Sequence, residues 1–312
     1  MTMRPGAKAG CWGVVSLVLL GGPAAADPAV FESPEAAVEA VVSALEARDR
    51  EALIAVFWPE NEDVVLTGDP EDDRETWGEF LRDYRALSRI NREGDDVAML
   101  AIGRDLWPFP APLVRDDAGW HFDADAAREE VLLRRIGQNE LDVIELLHGY
   151  VAAQAAYRAL DPDGDGLPTF AASILSTEGM RDGLYWPDAL DGPESPVGDF
   201  MARAAAEGYS VAGGEDVEPE PYLGYYYRIL TRQGPGAPGG EMDYAIDGRL
   251  VAGHALIAFP AAYGDTGVMS FLVGERDVVY EADLGEDTLE AATAIESFDP
   301  GDGWTPVVEE DE

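Results

Sequence analysis

Residues 139–166 read NELDVIELLHGYVAAQAAYRALDPDGDG, a helical pattern that runs directly into a turn of aspartate and glycine. Apolar residues recur here every three or four positions, the spacing of one face of an α-helix. They are Leu141, Ile144, Leu147, Val151 and Ala155, with Val143, Leu146, Tyr150 and Tyr157 widening the stripe. So broad an apolar face predicts packing on a large surface such as a sheet. The helix is predicted from Ala126 to Leu160, with Gly137 as the point where it could break.

Downstream of the turn the pattern changes to the alternation of β-strands, with many aromatic and β-branched residues. Strands are predicted at Tyr225–Thr231, Met242–Ile246, Leu256–Phe259, Val268–Val273 and Val278–Ala282. Asp247-Gly248 is a type I′ hairpin signal, and the short connections predict an antiparallel meander. Helices are expected at Phe170–Thr177, at Ser195–Ala206 and at Glu286–Phe298.

The residues before the long helix predict a separate α+β module at 29–125. Ser33 followed by Pro34 is typical of a helix start, and Asp49 is expected to cap a second helix. Further elements are a short strand at Asp63–Leu66, a helix at Arg74–Ile90, and strands at Val97–Ile102, Ala111–Val114 and Trp120–Phe122. The second module is predicted at 126–304, followed by an acidic tail at 305–312.

The first 26 residues have the layout of a secretory signal peptide. Arg4 and Lys8 precede the apolar run at residues 14–20, and an A-x-A cleavage site ends at Ala26. The alternative is an uncleaved anchor, but the run is short for a membrane span. Cleavage predicts a periplasmic or extracellular protein without a membrane span and, once Cys11 is removed, without cysteine.

The charge is strongly negative, −41 for the whole chain. Loss of Arg4 and Lys8 leaves 19 of the 21 basic residues against 62 acidic residues, a net charge of −43. Such a surface repels nucleic acid and favours cations and basic partners.

The DPDGDG turn resembles the start of a calcium loop. Asp161, Asp163 and Asp165 fit the alternating ligand positions, and the Leu167 carbonyl fits the seventh. Ala172 stands where the bidentate glutamate of an EF-hand would be. Calcium is therefore one interpretation, and a plain aspartate-rich helix stop is the other.

No catalytic motif stands out. Gly-x-Ser-x-Gly is absent, the three histidines lack ligand spacing, and carboxylate pairs arise by chance among 62 acids.

Tyr185, Trp186 and Tyr226 are candidates for lining a groove for a peptide or glycan. Strand alternation places Tyr225 and Tyr227 on the face opposite Tyr226, so the competing interpretation is core packing.

The order of a long helix, a variable loop and a meander resembles the globular head of type IV pilin-like (pseudopilin) proteins. Asn139–Leu141, Tyr150–Tyr157, Asp161–Gly166 and Gly267–Val273 carry that similarity. Pilins have a membrane-inserting apolar half-helix where this chain has two glutamates and two arginines within residues 129–135. The resemblance is therefore limited to the soluble head.

Four segments carry a resemblance that covers nearly all of the mature chain: residues 181–187, 224–228, 234–240 and 261–269. They resemble a family of bacterial secreted proteins catalogued as domain of unknown function 2950, which implies no activity. Residues 29–125 are similar, at fold level, to nuclear-transport-factor-2-like proteins.

The main hypothesis is a non-enzymatic binding or assembly-accessory protein of the cell envelope, with an envelope protein or glycan as partner. The alternatives are a carboxylate-based hydrolase or carbohydrate-active enzyme, and a calcium-stabilised structural protein.

Overall fold

A computed structural model describes residues 29–57, 59–162, 164–186, 194–197 and 221–308. These residues form an α+β fold, and their contacts divide the chain into two compact units, Met1–Arg128 and Glu129–Glu312. The predicted signal peptide, Asp163 and the helix expected around 200–206 lie outside the described residues. No helix within the described ranges is both long and apolar enough to cross a membrane.

The first unit places helices on an antiparallel sheet. Its helices are α1 (Pro34–Ala47), α2 (Arg50–Phe57), a 3-10 helix (Pro59–Val64) and α3 (Pro70–Ala86). Its strands are β1 (Ser88–Glu93), β2 (Val97–Ile102), β3 (Trp107–Pro108), β4 (Leu113–Arg115) and β5 (Trp120–Phe122). The sheet order is β1-β2-β4-β5, with β3 also paired to β2.

The caps in this unit follow the predicted chemistry. The Ser33 hydroxyl accepts a hydrogen bond from the Ala36 N–H at 3.1 Å, and Asp49 accepts one from Ala52 at 3.0 Å. The core joins the helices to one sheet face, and the Phe57 and Phe122 rings stack 4.6 Å apart. Two predictions are wrong here. Residues 63–66 form no strand, and the Arg74–Ile90 helix ends at Ala86 because β1 pairs residue by residue with β2.

Helix α4 (Ala124–Leu160) runs without a break through Gly137. The strands that follow are β6 (Ser173–Leu175), β7 (Gly183–Tyr185), β8 (Tyr225–Leu230), β9 (Arg232–Gln233), β10 (Met242–Asp243), β11 (Ala245–Ile246), β12 (Arg249–Leu250), β13 (Ala255–Pro260), β14 (Met269–Gly274) and β15 (Val279–Asp283). Helix α5 (Thr288–Ala294) and β16 (Thr305–Pro306) complete the described residues.

The main sheet of the second unit is antiparallel in the order β16-β15-β14-β13-β8. One face packs against α4 through side chains such as Leu147, Tyr150, Tyr225 and Phe271. The other face is covered by Tyr244, Phe298, α5 and the connecting loops. All six residues of β13, an interior strand of this sheet, are therefore buried.

The buried face of α4 is rotated from the predicted stripe. Val143, Leu147, Tyr150 and Gln154 are fully buried, whereas Leu141 is 63% exposed. Two polar contacts fix this rotation because Asn139 and Glu140 point at the sheet. Asn139 Nδ2 donates to the Thr266 carbonyl at 2.9 Å, and Glu140 Oε1 accepts the N–H groups of Val268 and Met269, both at 2.9 Å.

The segment after the DPDGDG turn differs from the prediction. Residues 173–175 form β6 instead of a helix, because they pair in parallel with β7. Helix α5 covers only the middle of the predicted Glu286–Phe298 helix. The predicted Met242–Ile246 strand is divided into β10 and β11, which pair with different partners.

Candidate binding site

A cavity of about 200 Å³ opens at the end of the main sheet where β13 begins and β14 ends. It lies on the face turned away from α4, because several of its walls belong to the core cluster there. The walls are formed by Gln233, Pro238, Met242, Tyr244, Ala252, Gly274, Glu275, Arg276, Val278, Tyr280 and Phe298. Segments far apart in the sequence therefore build one concave site.

The loop of residues 233–240, QGPGAPGG, forms one wall, and the Gln233 side chain holds it in place. Gln233 Nε2 donates to the carbonyl oxygens of Pro238, at 3.4 Å, and Gly240. Its Oε1 accepts the Tyr244 hydroxyl at 2.9 Å. The Ala237 methyl is buried in the core below. The loop, which connects the antiparallel pair β9–β10, is thus a packed wall.

The glycines of this loop allow the chain to approach Asp299 closely. A Cβ on Gly234 or Gly236 would stand 2.3 Å from a carboxylate oxygen of Asp299. The Gly234 N–H donates to the Phe298 carbonyl at 2.9 Å, and the Phe298 N–H donates to the Arg232 carbonyl at the same distance. Phe298 is therefore held from both sides, and its ring lies 6.1 Å from Tyr280 in an edge-on arrangement.

Tyr244 is the most buried polar group of the cavity. Its ring rests on Gly253, where a Cβ would come within 2.7 Å of the ring. Burial, and secondarily the negative charge of Glu275, raises the pKa of Tyr244 to about 12. The hydroxyl therefore stays protonated at neutral pH and remains a donor to Gln233.

The mouth of the cavity combines exposed apolar and charged groups. Met242 is 40% exposed and Val278 is 39% exposed, so both present carbon surface to solvent beside the opening. Glu275 and Arg276 are exposed on the turn that precedes Val278. The described lining holds two phenols, one carboxylate and one guanidinium. Aromatic walls with a few placed polar groups are the usual makeup of a ligand pocket.

The aspartates of the DPDGDG turn are engaged in the turn itself. Asp161 adopts a left-handed backbone, φ 47°, and its Oδ2 accepts the Gly166 N–H at 3.0 Å. Asp165 Oδ1 accepts the Leu167 N–H at 2.8 Å, while Oδ2 accepts a hydrogen bond from Arg249. Arg249 is also the main reason that the pKa of Asp165 is lowered.

A metal site at this turn is not assembled from the described residues alone. Asp163 lies outside them, and within them no three His, Cys, Asp or Glu side chains gather at metal-binding distance. Asp161 Oδ1 is nevertheless buried and accepts no hydrogen bond from the described residues.

The three predicted groove residues do not share a surface. Trp186 is 1% exposed in the core against α4, with its ring 6.4 Å from Tyr157, so it is a core residue and not a groove wall. Tyr185 is half-buried and packs on the same core. Tyr226 packs on the opposite face of the sheet, near Phe259. Large apolar rings are most stable inside, which explains the core position of Trp186.

Most of the cavity is not predictable from the sequence, because its walls come from separate segments of the chain and form no motif. Of the cavity walls, only residues 234–240 were singled out in the sequence, as a segment that carries the family resemblance.

The segment at 181–186, which carried the family resemblance, has a structural role. Both oxygens of the Asp182 carboxylate are used, because they accept the Thr177 N–H and hydroxyl at 2.7 Å. Gly183 lies so close to β6 that a Cβ would come within 2.5 Å of the Leu175 carbonyl carbon. These residues fix the β6–β7 pair.

Comparison with known proteins gives a family and no function. No curated protein and no solved structure matches the chain, so the resemblance to pilin-like heads has no support from either comparison. One family model matches residues 28–307, which is most of the sequence. The chain therefore belongs to the family described as protein of unknown function (DUF2950).

Proposed function

We propose that this protein is a non-enzymatic binding protein of the cell envelope that holds an apolar group of its ligand in the cavity beside residues 233–240. The observation that carries the proposal is the aromatic cavity with exposed carbon at its rim. A concave site with aromatic walls and a few polar groups is the default location for a bound ligand.

The location in the envelope rests on the leader pattern at residues 1–26. An assembly-accessory role is supported by the pilin-like order of a long helix followed by an antiparallel meander. The unbroken α4 carries charged residues where a pilin has its membrane-inserting half-helix, so the proposed role is that of a soluble component.

The test uses 2-phenylethanol, a neutral probe small enough for the cavity, and protein labelled with ¹³C at the methionine methyl groups. We expect a saturable shift of the Met242 methyl signal with a dissociation constant on the order of 1 mM, because a probe of this size binds weakly at best. The exposed Met180 of the same unit is the internal control and should not shift.

Two variants make the test specific to the cavity. Ala252→Leu places a larger side chain on a cavity wall and should abolish the Met242 shift. Ala294→Leu adds the same atoms at an exposed position on α5 and should leave it intact. Equal shifts at Met242 and Met180, or no saturation in either, would refute the binding function.

A calcium-stabilised DPDGDG turn is a second candidate, favoured by the buried Asp161 Oδ1. The Asp161 carboxylate and the Leu167 carbonyl would hold the ion, and Asp165 would have to exchange Arg249 for it. Calcium would then relieve repulsion among the aspartates. The test is thermal melting in calcium and in a chelator, and an identical midpoint would exclude a stabilising ion.

A further inference from the structure

Resting on the proposed function, we propose that His254 regulates the cavity in response to acid. The neutral imidazole keeps the Tyr244 wall in place, and protonation of the ring displaces that wall and releases the ligand. His254 does not itself line the cavity. It is connected to the site through the two residues before it, because Ala252 is a wall residue and Gly253 touches the Tyr244 ring.

Residues 251–254, the connection between β12 and β13, are bonded to Tyr244. The N–H groups of Val251 and Ala252 both donate to the Tyr244 carbonyl, at 3.0 Å and 3.2 Å. A Cβ on Gly253 would stand 2.7 Å from the Tyr244 ring, so the backbone there supports the ring directly. A movement of this connection therefore displaces the cavity wall that Tyr244 forms.

The His254 ring anchors the connection in the core. It is 1% exposed, and its centroid lies 5.3 Å from that of Tyr150 on α4 and 4.7 Å from that of Phe170. Its Nδ1 atom is buried without a hydrogen-bond partner in the described part of the chain. These surroundings suit a neutral ring, whereas a protonated ring in the same place would carry a desolvated charge.

The titratable groups that face His254 among the described residues are phenols and a guanidinium. Tyr150 and Arg158 face it from α4, and Tyr244 lies next to the residue before it. Burial raises the pKa of both phenols, so they are uncharged in acid. Arg158 is positive and repels a protonated neighbour. Burial and then Arg158 therefore lower the pKa of His254 to about 4.

The connection can move while the main sheet stays intact. Residues 251–254 belong to no strand, and β13 begins only at Ala255. The backbone of Ala255 is paired on both sides, with Leu230 of β8 and with Gly274 of β14. An outward movement of the connection therefore brings the charged ring of His254 to water without separating the strands.

The experiment follows the Met242 methyl signal during titration with 2-phenylethanol, which has no titrating group in this range. At pH 6.0 the ring of His254 is neutral. At pH 3.5 a group with a pKa of about 4 is neutral in about a quarter of the molecules. We therefore expect the dissociation constant to be about fourfold larger at pH 3.5, because only the neutral form binds.

Variants assign the acid response to one histidine. His254→Gln has a side chain that takes up no proton, so the dissociation constant should be the same at both pH values. His121→Gln removes a histidine from the first unit and should keep the fourfold loss. The same loss in His254→Gln as in the parent protein would overturn the role of His254.

The protonation of His254 is a second readout that needs no variant, and ¹³C signals of the histidine rings report it. 2-Phenylethanol at about ten times its dissociation constant should lower the titration midpoint of His254 by about one pH unit, since binding and protonation oppose each other. His121 should titrate identically with and without the probe. An unchanged His254 midpoint with bound probe would contradict the regulation.

The outcomes separate this regulation from the proposed function. A saturable Met242 shift with equal dissociation constants at both pH values would overturn the regulation while the binding function stands. Absence of the shift at pH 6.0 would overturn the binding function itself. Far-ultraviolet circular dichroism should show an intact fold at pH 3.5, and loss of the fold there would overturn a local opening.

Discussion

The hydroxyl oxygen of Tyr225 lies against the Cα of Gly267, so close that a Cβ built on Gly267 would stand 2.0 Å from that oxygen. The same hydroxyl donates to the Met269 carbonyl at 2.9 Å, at the start of β14. Tyr225 is fully buried, and burial raises the pKa of its phenol. Position 267 therefore accepts only glycine without movement of the ring.

Gly267→Ala should lower the free energy of unfolding by about 1–3 kcal/mol, the usual cost of overpacking a core. Urea denaturation measures it. The matched control is Gly149→Ala on α4, where a Cβ would have no neighbour within 4 Å and alanine should stabilise by roughly 0.5–1 kcal/mol. Gly267→Ala should cost less in a Tyr225→Phe background, which lacks the hydroxyl. An equal cost in both backgrounds would show that the contact with the Tyr225 hydroxyl is not the cause of the destabilisation.

Gln154 is the buried amide that joins α4 to the segment before β6. It is fully buried, and its Oε1 and Nε2 bond the N–H and the carbonyl of Ala171, both at 2.9 Å. Gln154→Leu should cost about 1–3 kcal/mol for each backbone group left without a partner. Gln138→Leu, at an exposed position of the same helix, should change stability by no more than about 0.5 kcal/mol. Equal effects in chemical denaturation would contradict the role of Gln154.

His254 should make the protein sensitive to mild acid. The residue is 1% exposed between Tyr150 and Phe170, and burial, followed by the charge of Arg158, lowers its pKa to about 4. An unfolded histidine titrates near pH 6.5, so between these values the unfolded chain binds the extra proton.

The stability contributed by neutral His254 is complete above about pH 6.5 and is lost progressively down to about pH 4, by roughly 3 kcal/mol in all. Urea titrations at pH 7.5, 5.5 and 4.5 would show it. His254→Gln should flatten this part of the profile while the carboxylate-dependent part below pH 4 remains. Parallel profiles for the two proteins would argue against the assignment.

The Asp165–Arg249 pair should act at lower pH and depend on salt. Because Arg249 lowers the pKa of Asp165, this contribution is present above the unfolded pKa, near 3.9, and disappears as the pH falls through the folded value. Asp165→Asn should reduce the change in melting temperature between pH 6 and pH 3. High salt should weaken the pair, so it should lower the melting temperature of the parent protein more than that of the variant. The same response to salt in both proteins would count against a contribution from the pair.

Local chemistry made some elements predictable. Asp247 and Gly248 both have positive φ, 52° and 81°, and connect β11 to β12 as the two-residue hairpin that their identities require. The start of α1 at Pro34 was predictable for the same reason, since a cap depends on a few adjacent residues. Strands β13, β14 and β15 begin and end within one residue of their predicted bounds, because their apolar runs end at turn residues.

Elements that depend on distant partners were not predictable. The residues of β1 continue a helical pattern, and only their pairing with β2 makes them a strand. Residues 173–175 likewise become β6 through pairing with Gly183–Tyr185. The rotation of α4 depends on hydrogen bonds from residues 139 and 140 to a segment more than 120 positions later. The cavity shares this property, since its walls meet only in the folded chain.

The complete burial of β13 has a consequence for the chain before it folds. The run Leu256–Phe259 is the kind of short apolar segment that pairs with copies of itself when it is exposed. Pro260 interrupts the run, and a proline beside a hydrophobic segment disfavours such pairing. The surplus of acidic residues, which gives the chain a charge of −41, makes unfolded copies repel one another. The negative charge of the chain therefore disfavours aggregation through the β13 segment before the protein folds.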